Sequence, residues 1–286
     1  MEKKPILNKC CVCNSDCAKP LYSGILKCQQ CGHVFAGTCL DDNELSGLYD
    51  KNYFFGSEYS DYIADKKVLQ KNFIQRLKVL RAFAGLSSHK RLFEIGCAYG
   101  FFLDIAGRQF DKVLGIDIAE DGILYAREQL NLDVIKADFL KYNFMNQQFD
   151  VICMWDTIEH LLRPDLYLEK ISNITKNGSL LALTTGDIGS LNARIRKEKW
   201  RLMHPPTHMH FFSNKTLTKI LDNFGFDIIY NAYCGYYRSI DNAAYRIFVL
   251  HKKNPSIYYL LRKCGLIKPS FYLNLFDIRY VIARRR

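Results

Sequence analysis

A chain of 286 residues that is 49% hydrophobic has room for one full α/β unit and a smaller appendage, which excludes a disordered polymer. Its 40 basic and 29 acidic side chains leave a formal charge of +11, which suits an anionic partner (nucleic acid, a nucleotide-linked sugar, an acidic membrane surface) or a solubilising surface excess. No run approaches the ~18 consecutive apolar residues of a membrane span. Cysteines, not an apolar signal segment, follow Met1-Glu2-Lys3-Lys4, so a cytoplasmic protein without a transmembrane segment is expected.

Seven of the 11 cysteines (Cys10, Cys11, Cys13, Cys17, Cys28, Cys31 and Cys39) fall within residues 1–40, a segment short on helical periodicity. A secreted disulfide framework would come with a signal peptide, so metal ligation is the better account. Cys10-x-x-Cys13 and Cys28-x-x-Cys31, 14 residues apart, can each bring two thiolates to one tetrahedral ion, with a spacer long enough to turn back as a hairpin. Four thiolates leave no open position, so such a zinc is structural. Cys11, Cys17, His33 and Cys39 are spare donors, and the ligand set can shift by one residue or include His33.

Residues 41–88 form a helical linker. An acidic turn-rich stretch leads to Tyr53-Phe54, and then Leu69, Phe73, Leu77, Leu80 and Phe83 recur at the spacing of an amphipathic helix, basic on its other face. Residues 89–286 alternate strand and helix candidates, the mark of a parallel sheet with crossover connections. Strands are expected at Leu92–Ile95, Val113–Asp117, Asp133–Ile135, Phe149–Met154 and Ser179–Thr184. Two more, at Phe226–Tyr230 and Asp277–Ala283, complete a seven-stranded, Rossmann-like doubly wound sheet. An irregular stretch from Ile188 to Phe212 and a basic, aromatic insertion from Tyr236 to Tyr272 interrupt this pattern.

In Glu94-Ile95-Gly96-Cys97-Ala98-Tyr99-Gly100, small residues join a strand to a helix, so the backbone can turn sharply and bring its N–H groups to a ligand. Asp117 ends the next strand, where a carboxylate can accept both hydroxyls of an adenosine ribose. Asp138 and Phe139, after the third strand, offer a polar contact and an apolar face to an adenine ring. The three loops leave one edge of a parallel sheet and therefore converge.

Asp156-Thr157-Ile158-Glu159-His160-Leu161 after the fourth strand, and His208-Met209-His210-Phe211-Phe212-Ser213 further on, resemble the class I methyltransferase superfamily in its D-x-x-E-H-L branch. Residues 10–35 likewise resemble zinc-ribbon modules, which favours Cys10, Cys13, Cys28 and Cys31 as the ligands. The resemblance implies S-adenosylmethionine as cofactor. It implies cofactor contacts from Glu94, Gly96, Ala98, Gly100, Asp117, Ile118, Asp138, Phe139 and Asp156, with Tyr53 folding over the ligand. Ala98 takes the middle glycine position of the family's turn, tolerable if its φ stays negative. A dehydrogenase would also place an acid after the second strand, but its pyrophosphate wants G-x-G-x-x-G, and here the last glycine comes one residue early.

Methyl transfer from a sulfonium is an in-line displacement, with the nucleophile held about 3 Å from the methyl carbon. An alcohol acceptor must lose a proton, so His160, His208 and His210 are the candidate bases, with His204 nearby. Glu159 and His160 equally suit a helix start; the histidines of the irregular stretch can also bind a second metal, although the resemblance favours a substrate-pocket role for them. The expected reaction is O-methylation of a small or glycan-like acceptor such as a nucleotide- or lipid-linked sugar, with peripheral membrane contact through the insertion. An RNA-modifying methyltransferase gripping nucleic acid with its ribbon, and a non-catalytic binding scaffold, are the alternatives.

Overall fold

The computed structural model describes residues 9–37, 62–85, 88–267 and 269–286. The cysteine-rich segment folds as an antiparallel meander of β1 (Ala18–Tyr22), β2 (Ile25–Cys28) and β3 (Val34–Ala36). Helix α1 (Lys66–Phe83) follows, then β4 (Arg91–Ile95), α2 (Phe101–Ala106), β5 (Lys112–Asp117), α3 (Glu120–Leu130) and β6 (Val134–Lys136). Next come β7 (Phe149–Trp155), a single turn at Ile158–His160, α4 (Pro164–Asn173), β8 (Thr175–Gly186), α5 (Leu191–Arg196) and β9 (His210–Phe211). The chain continues through α6 (Asn214–Asn223), β10 (Phe226–Tyr233), β11 (Tyr236–Ser239), α7 (Ile240–Tyr245), α8 (Pro255–Lys263), β12 (Ser270–Leu273) and β13 (Ile278–Arg285).

Seven strands form one sheet in the order β10-β13-β8-β7-β4-β5-β6, parallel except for β13, which runs against both neighbours. All seven residues of the central strand β7 are buried, as expected of a parallel strand covered on both faces. Strand pleating sends alternate residues to opposite cores. Phe93, Ile152 and Met154 join one apolar cluster, while Leu92, Val151, Cys153 and Trp155 join the other. The strand order reverses between β4 and β7, so the loops leaving these two strands flank the crevice where ligands bind in such sheets.

The small meander is built into the larger unit. β3 pairs with β9 in the register Val34↔Phe211 and Phe35↔His210, which makes the ribbon sheet four-stranded. Cys10, Cys28, Cys31 and Phe35 share a cluster with Phe93, Phe212 and Leu217, so one apolar core serves both parts.

Two sequence expectations need revision. The polar side of α1 is not all solvated, because the antiparallel β11–β12 pair covers it and buries Asn72 and Arg76. Asn72 accepts the N–H of Tyr237 at 2.5 Å and donates to its carbonyl at 3.1 Å, replacing the lost water. The irregular stretch contains α5 and β9, and it is anchored where Trp200 Nε1 and Arg201 donate to the buried Asp277 carboxylate at 2.9 and 2.8 Å. No helix among the described residues is long and apolar enough to cross a membrane.

Candidate active site

The turn after β4 holds Gly96 at φ 75° and Gly100 at φ 71°, a region open to glycine at no steric cost. A Cβ on Gly96 would lie 2.8 Å from Thr157 Oγ1 of the β7 loop, and one on Gly100 would lie 2.7 Å from the Leu132 side chain. Contrary to the expectation of negative φ, Ala98 sits at φ 44°, which costs about 1–2 kcal/mol for an L-residue. A hydrogen bond holds it there, and a missing side chain leaves it room. Its N–H donates to Asp117 Oδ2 at 2.7 Å, and its carbonyl lies where a Cβ on Gly122 would come within 2.7 Å.

Asp117 Oδ1 accepts the N–H of Ala119 at 2.8 Å, so one carboxylate ties the loops after β4 and β5 together. Each oxygen keeps a second lone pair for a hydroxyl donor. Burial holds the Asp117 carboxyl above its ordinary range, with the N–H groups of Ala119 and Ala98 opposing but not cancelling the rise. Glu94 is 2% exposed, and its Oε2 has no partner among the described residues. Burial, followed by the charge of Asp117, holds its carboxyl well above the ordinary range. A buried acceptor left open is costly, and a ligand bearing N–H or positive charge would satisfy it.

On the third loop, Asp138 Oδ1 accepts the N–H of Leu140 at 2.8 Å. Phe139 is only 2% exposed and packs against Phe93 and Tyr167, so its ring fills the core; Ile118, 40% exposed, is an apolar side chain that this rim presents.

Asp156 stands at the end of β7 with φ 51°. Its carboxylate accepts the Tyr236 hydroxyl at 2.6 and 2.7 Å, the Thr184 hydroxyl at 2.8 Å and Arg76 at 3.2 Å. The Arg76 guanidinium lies 4.6 Å from the Tyr236 ring centroid and 5.4 Å from that of Trp155. Asp156 is therefore the hub that fastens α1 and strand β11 to the rim.

Beyond it, Glu159, His160 and His208 each bring a donor atom within 4.8 Å of the others. His160 Nδ1 lies 2.8 Å from the Thr207 carbonyl and His208 Nδ1 2.9 Å from that of Leu202, so both rings donate from Nδ1 and keep a lone pair on Nε2. Burial lowers His160 to about 4 and holds His208 well below its ordinary value. Burial and the neighbouring Asp156 charge raise Glu159 to about 8, and its Oε2 has no partner among the described residues. His210 does not join this group. It turns toward the ribbon, where its Nδ1 meets His33 Nε2 at 3.0 Å. Tyr53 lies outside the described residues.

A family profile described as a methyltransferase domain matches residues 69–231, more than half of the chain. The chain belongs to this methyltransferase family. It is 27% identical over 140 residues to the mitochondrial ubiquinone biosynthesis O-methyltransferase of Dictyostelium discoideum, covering 43% of this chain and 42% of that protein. Identity to the mitochondrial ubiquinone biosynthesis O-methyltransferase of Homo sapiens is 22% over 192 residues, 58% of this chain and 52% of that one. The chain spans about half the length of the curated relatives it matches. Among solved structures it resembles the magnesium protoporphyrin IX methyltransferase of Synechocystis PCC 6803 with bound SAH, at a TM-score of 0.56 and 13% identity, covering 86% of this chain and 100% of that one. A methyltransferase from Bacillus halodurans C-125 gives a TM-score of 0.53 at 14% identity, covering 75% and 98%. These likenesses establish the Rossmann-like methyltransferase fold.

The sequence reading missed Arg76 and Tyr236 as partners of Asp156. Arg76 looks like one more cation on a basic helix face, and only its position one turn from Asn72, another polar residue, hints at a buried pair. Ahead of the matched segment, the sulfurs of Cys10, Cys13, Cys28 and Cys31 all lie within 4.8 Å of one another, with Cys10–Cys31 and Cys13–Cys28 each at 3.5 Å. Tetrahedral zinc with bonds of about 2.3 Å would set sulfurs about 3.8 Å apart, so the four thiols fit the ion. Burial pushes the Cys28 thiol up, but the N–H groups of Cys31 and Gln30 bring it down to about 7, which favours the thiolate that binds metal.

Proposed function

We propose that the protein transfers the methyl group of S-adenosylmethionine to an oxygen nucleophile on a small or glycan-like acceptor. The observation that carries this reading is the convergence of the Gly96–Gly100 turn, Asp117 and Asp138 at one rim, with the open buried Glu94 carboxylate beneath a backbone that excludes larger residues. The cofactor supplies an electrophilic methyl on a sulfonium leaving group. With the cofactor bound, Asp117 would offer acceptors to the ribose hydroxyls, Asp138 an acceptor to the adenine amino group, and Glu94 an oxygen to the methionine end. His160 takes the acceptor's proton on Nε2, and Glu159 and Asp156 stabilise the imidazolium that forms. The relatives named as O-methyltransferases support oxygen as the nucleophile.

The insertion favours the lipid-linked class of acceptor. Ile247, Leu250, Tyr259, Leu260, Leu266 and Tyr272 are exposed there, interleaved with Arg246, Lys252, Lys253 and Arg262, a composition suited to an anionic lipid surface. In the ribbon, Cys10, Cys13, Cys28 and Cys31 hold a structural zinc.

Calorimetry with S-adenosylmethionine and its demethylated product tests the site. Binding is expected, weakened at least tenfold, ~1.4 kcal/mol, in Asp117→Ala. No uptake by the wild type, or full affinity in the variant, overturns the reading. Methyl-labelled cofactor incubated with fractionated cell extract then identifies the acceptor pool, and label confined to RNA or protein would exclude a sugar acceptor.

A further inference from the structure

Cys11, His33 and His210 are used neither by the four-cysteine knuckles nor by the methyl-transfer rim, yet their donor atoms lie within 4.8 Å of one another. We infer that they form a second metal site, taking zinc or a similar borderline divalent cation, which clamps the ribbon to the methyltransferase unit. Two ligands come from the ribbon and the third from β9.

The spacing matches such an ion. Tetrahedral zinc, with bonds of about 2.3 Å to sulfur and 2.0–2.1 Å to nitrogen, sets sulfur and nitrogen about 3.6 Å apart and two nitrogens about 3.3 Å apart. Cys11 Sγ is 3.6 Å from His210 Nδ1, and His33 Nε2 is 3.0 Å from the same nitrogen. His210 Nε2 lies 3.4 Å from the Leu162 carbonyl, so it is this nitrogen that carries the proton, and Nδ1 presents its lone pair to the cluster. Without a cation, the Cys11 thiol and the His33 N–H would both compete for that single lone pair. A cation at the point of convergence accepts from all three.

Local structure explains why the donors meet. Cys11 follows Cys10, and the two sulfurs join different groups, Cys10 the four-cysteine set and Cys11 the set with His33 and His210. His33 lies two residues beyond Cys31, and the pairing of Phe35 with His210 carries the two imidazoles to one place, stacked with centroids 5.3 Å apart. Both rings are buried, at 0% and 3% exposure, in a wall completed by Phe35 and Phe212. Cys11, only partly buried, also lines a cleft of about 510 Å³ with Asp165 and Lys219. Three protein ligands leave the fourth position to water.

The test is metal content of the full chain purified in zinc and freed of loosely held ions, read by mass spectrometry, with cobalt(II) spectra alongside. Two zinc ions per chain are expected in the wild type, one in Cys11→Ser and one in His210→Gln. Cys11→His, which keeps a donor, should restore the second. Cobalt should show a one-thiolate charge-transfer band that disappears in Cys11→Ser while the four-thiolate bands remain. One zinc in the wild type, removed by Cys28→Ser and untouched by Cys11→Ser, overturns this site and leaves the four-cysteine centre standing. Two zincs that persist in both Cys11→Ser and His210→Gln also overturn it, and no zinc at all removes both centres.

Discussion

His208 and His210 flank Met209, and the segment hands one imidazole to each of two clusters. Met209 binds both sides: its N–H donates to the Glu159 carbonyl at 2.8 Å, and its carbonyl accepts the N–H of Ala36 from the ribbon at 2.8 Å. On the rim side His208 meets a carboxylate and a second imidazole, and on the ribbon side His210 meets a thiol and an imidazole. Both groups hold neutral histidines, because burial lowers all four rings. What separates them is the third member. The carboxyl of Glu159, raised to about 8, is poised for proton chemistry near neutrality, whereas a thiol with two imidazoles matches a borderline metal.

The largest expected effect tests whether the two sides share one fold. A structural zinc contributes ~10–16 kcal/mol to small zinc modules, so Cys28→Ser should unfold the ribbon. Because Cys28 and Phe212 lie in one cluster, the methyltransferase unit should lose several °C in melting temperature as well. An α/β unit that melts unchanged in calorimetry would show that the shared core carries little energy.

Next comes the assignment of chemistry to the rim. His160→Ala should lower kcat by about 100-fold or more, the usual share of a general base, while cofactor affinity stays within twofold. An equal loss in cofactor affinity would make His160 a binding residue.

The pH dependence sharpens the contrast further. His160, at about 4, is already neutral throughout the physiological range, so the limiting ionisation is that of Glu159. The catalytic efficiency, kcat/KM, should climb roughly tenfold per unit and level off above pH 8, and Glu159→Gln should remove that inflection. A wild-type profile already flat from pH 6 to 9 would contradict the role given to Glu159.

The smallest effect concerns Glu94. Its folded carboxyl lies above the ordinary value, so it favours the native state at pH below about 4.5 and that contribution is lost as pH rises toward the raised value. Glu94→Gln should therefore gain stability relative to wild type between pH 5 and pH 8, by on the order of 1 kcal/mol, while binding cofactor more weakly. Thermal melts at the two pH values check the sign. A gain that shrinks with rising pH would reverse it.

Much of the fold could be read from the chain because its signals are local. The alternation of strands and helices, the small-residue turn at Gly96 and Gly100, and Asp117 closing β5 each follow from a few consecutive residues. In a parallel sheet, order along the chain already brings the loop ends together. The Cys-x-x-Cys pairs are local for the same reason, since each knuckle is a single turn. By contrast, Ala98 at positive φ was not legible, because its strain is offset by Asp117 and by space at Gly122, both far along the sequence. Arg76 and Tyr236, 160 residues apart, meet at Asp156 only because strand β11 packs over α1.

By itself, then, the sequence determined the sheet, the glycine turn after β4 and the paired cysteines, through periodicity, backbone freedom and local spacing. Tertiary structure alone decided that His210 leaves His208 and joins Cys11 and His33. That outcome rests on the register between β3 and β9, and a pairing between segments about 175 residues apart leaves no periodic trace in either one.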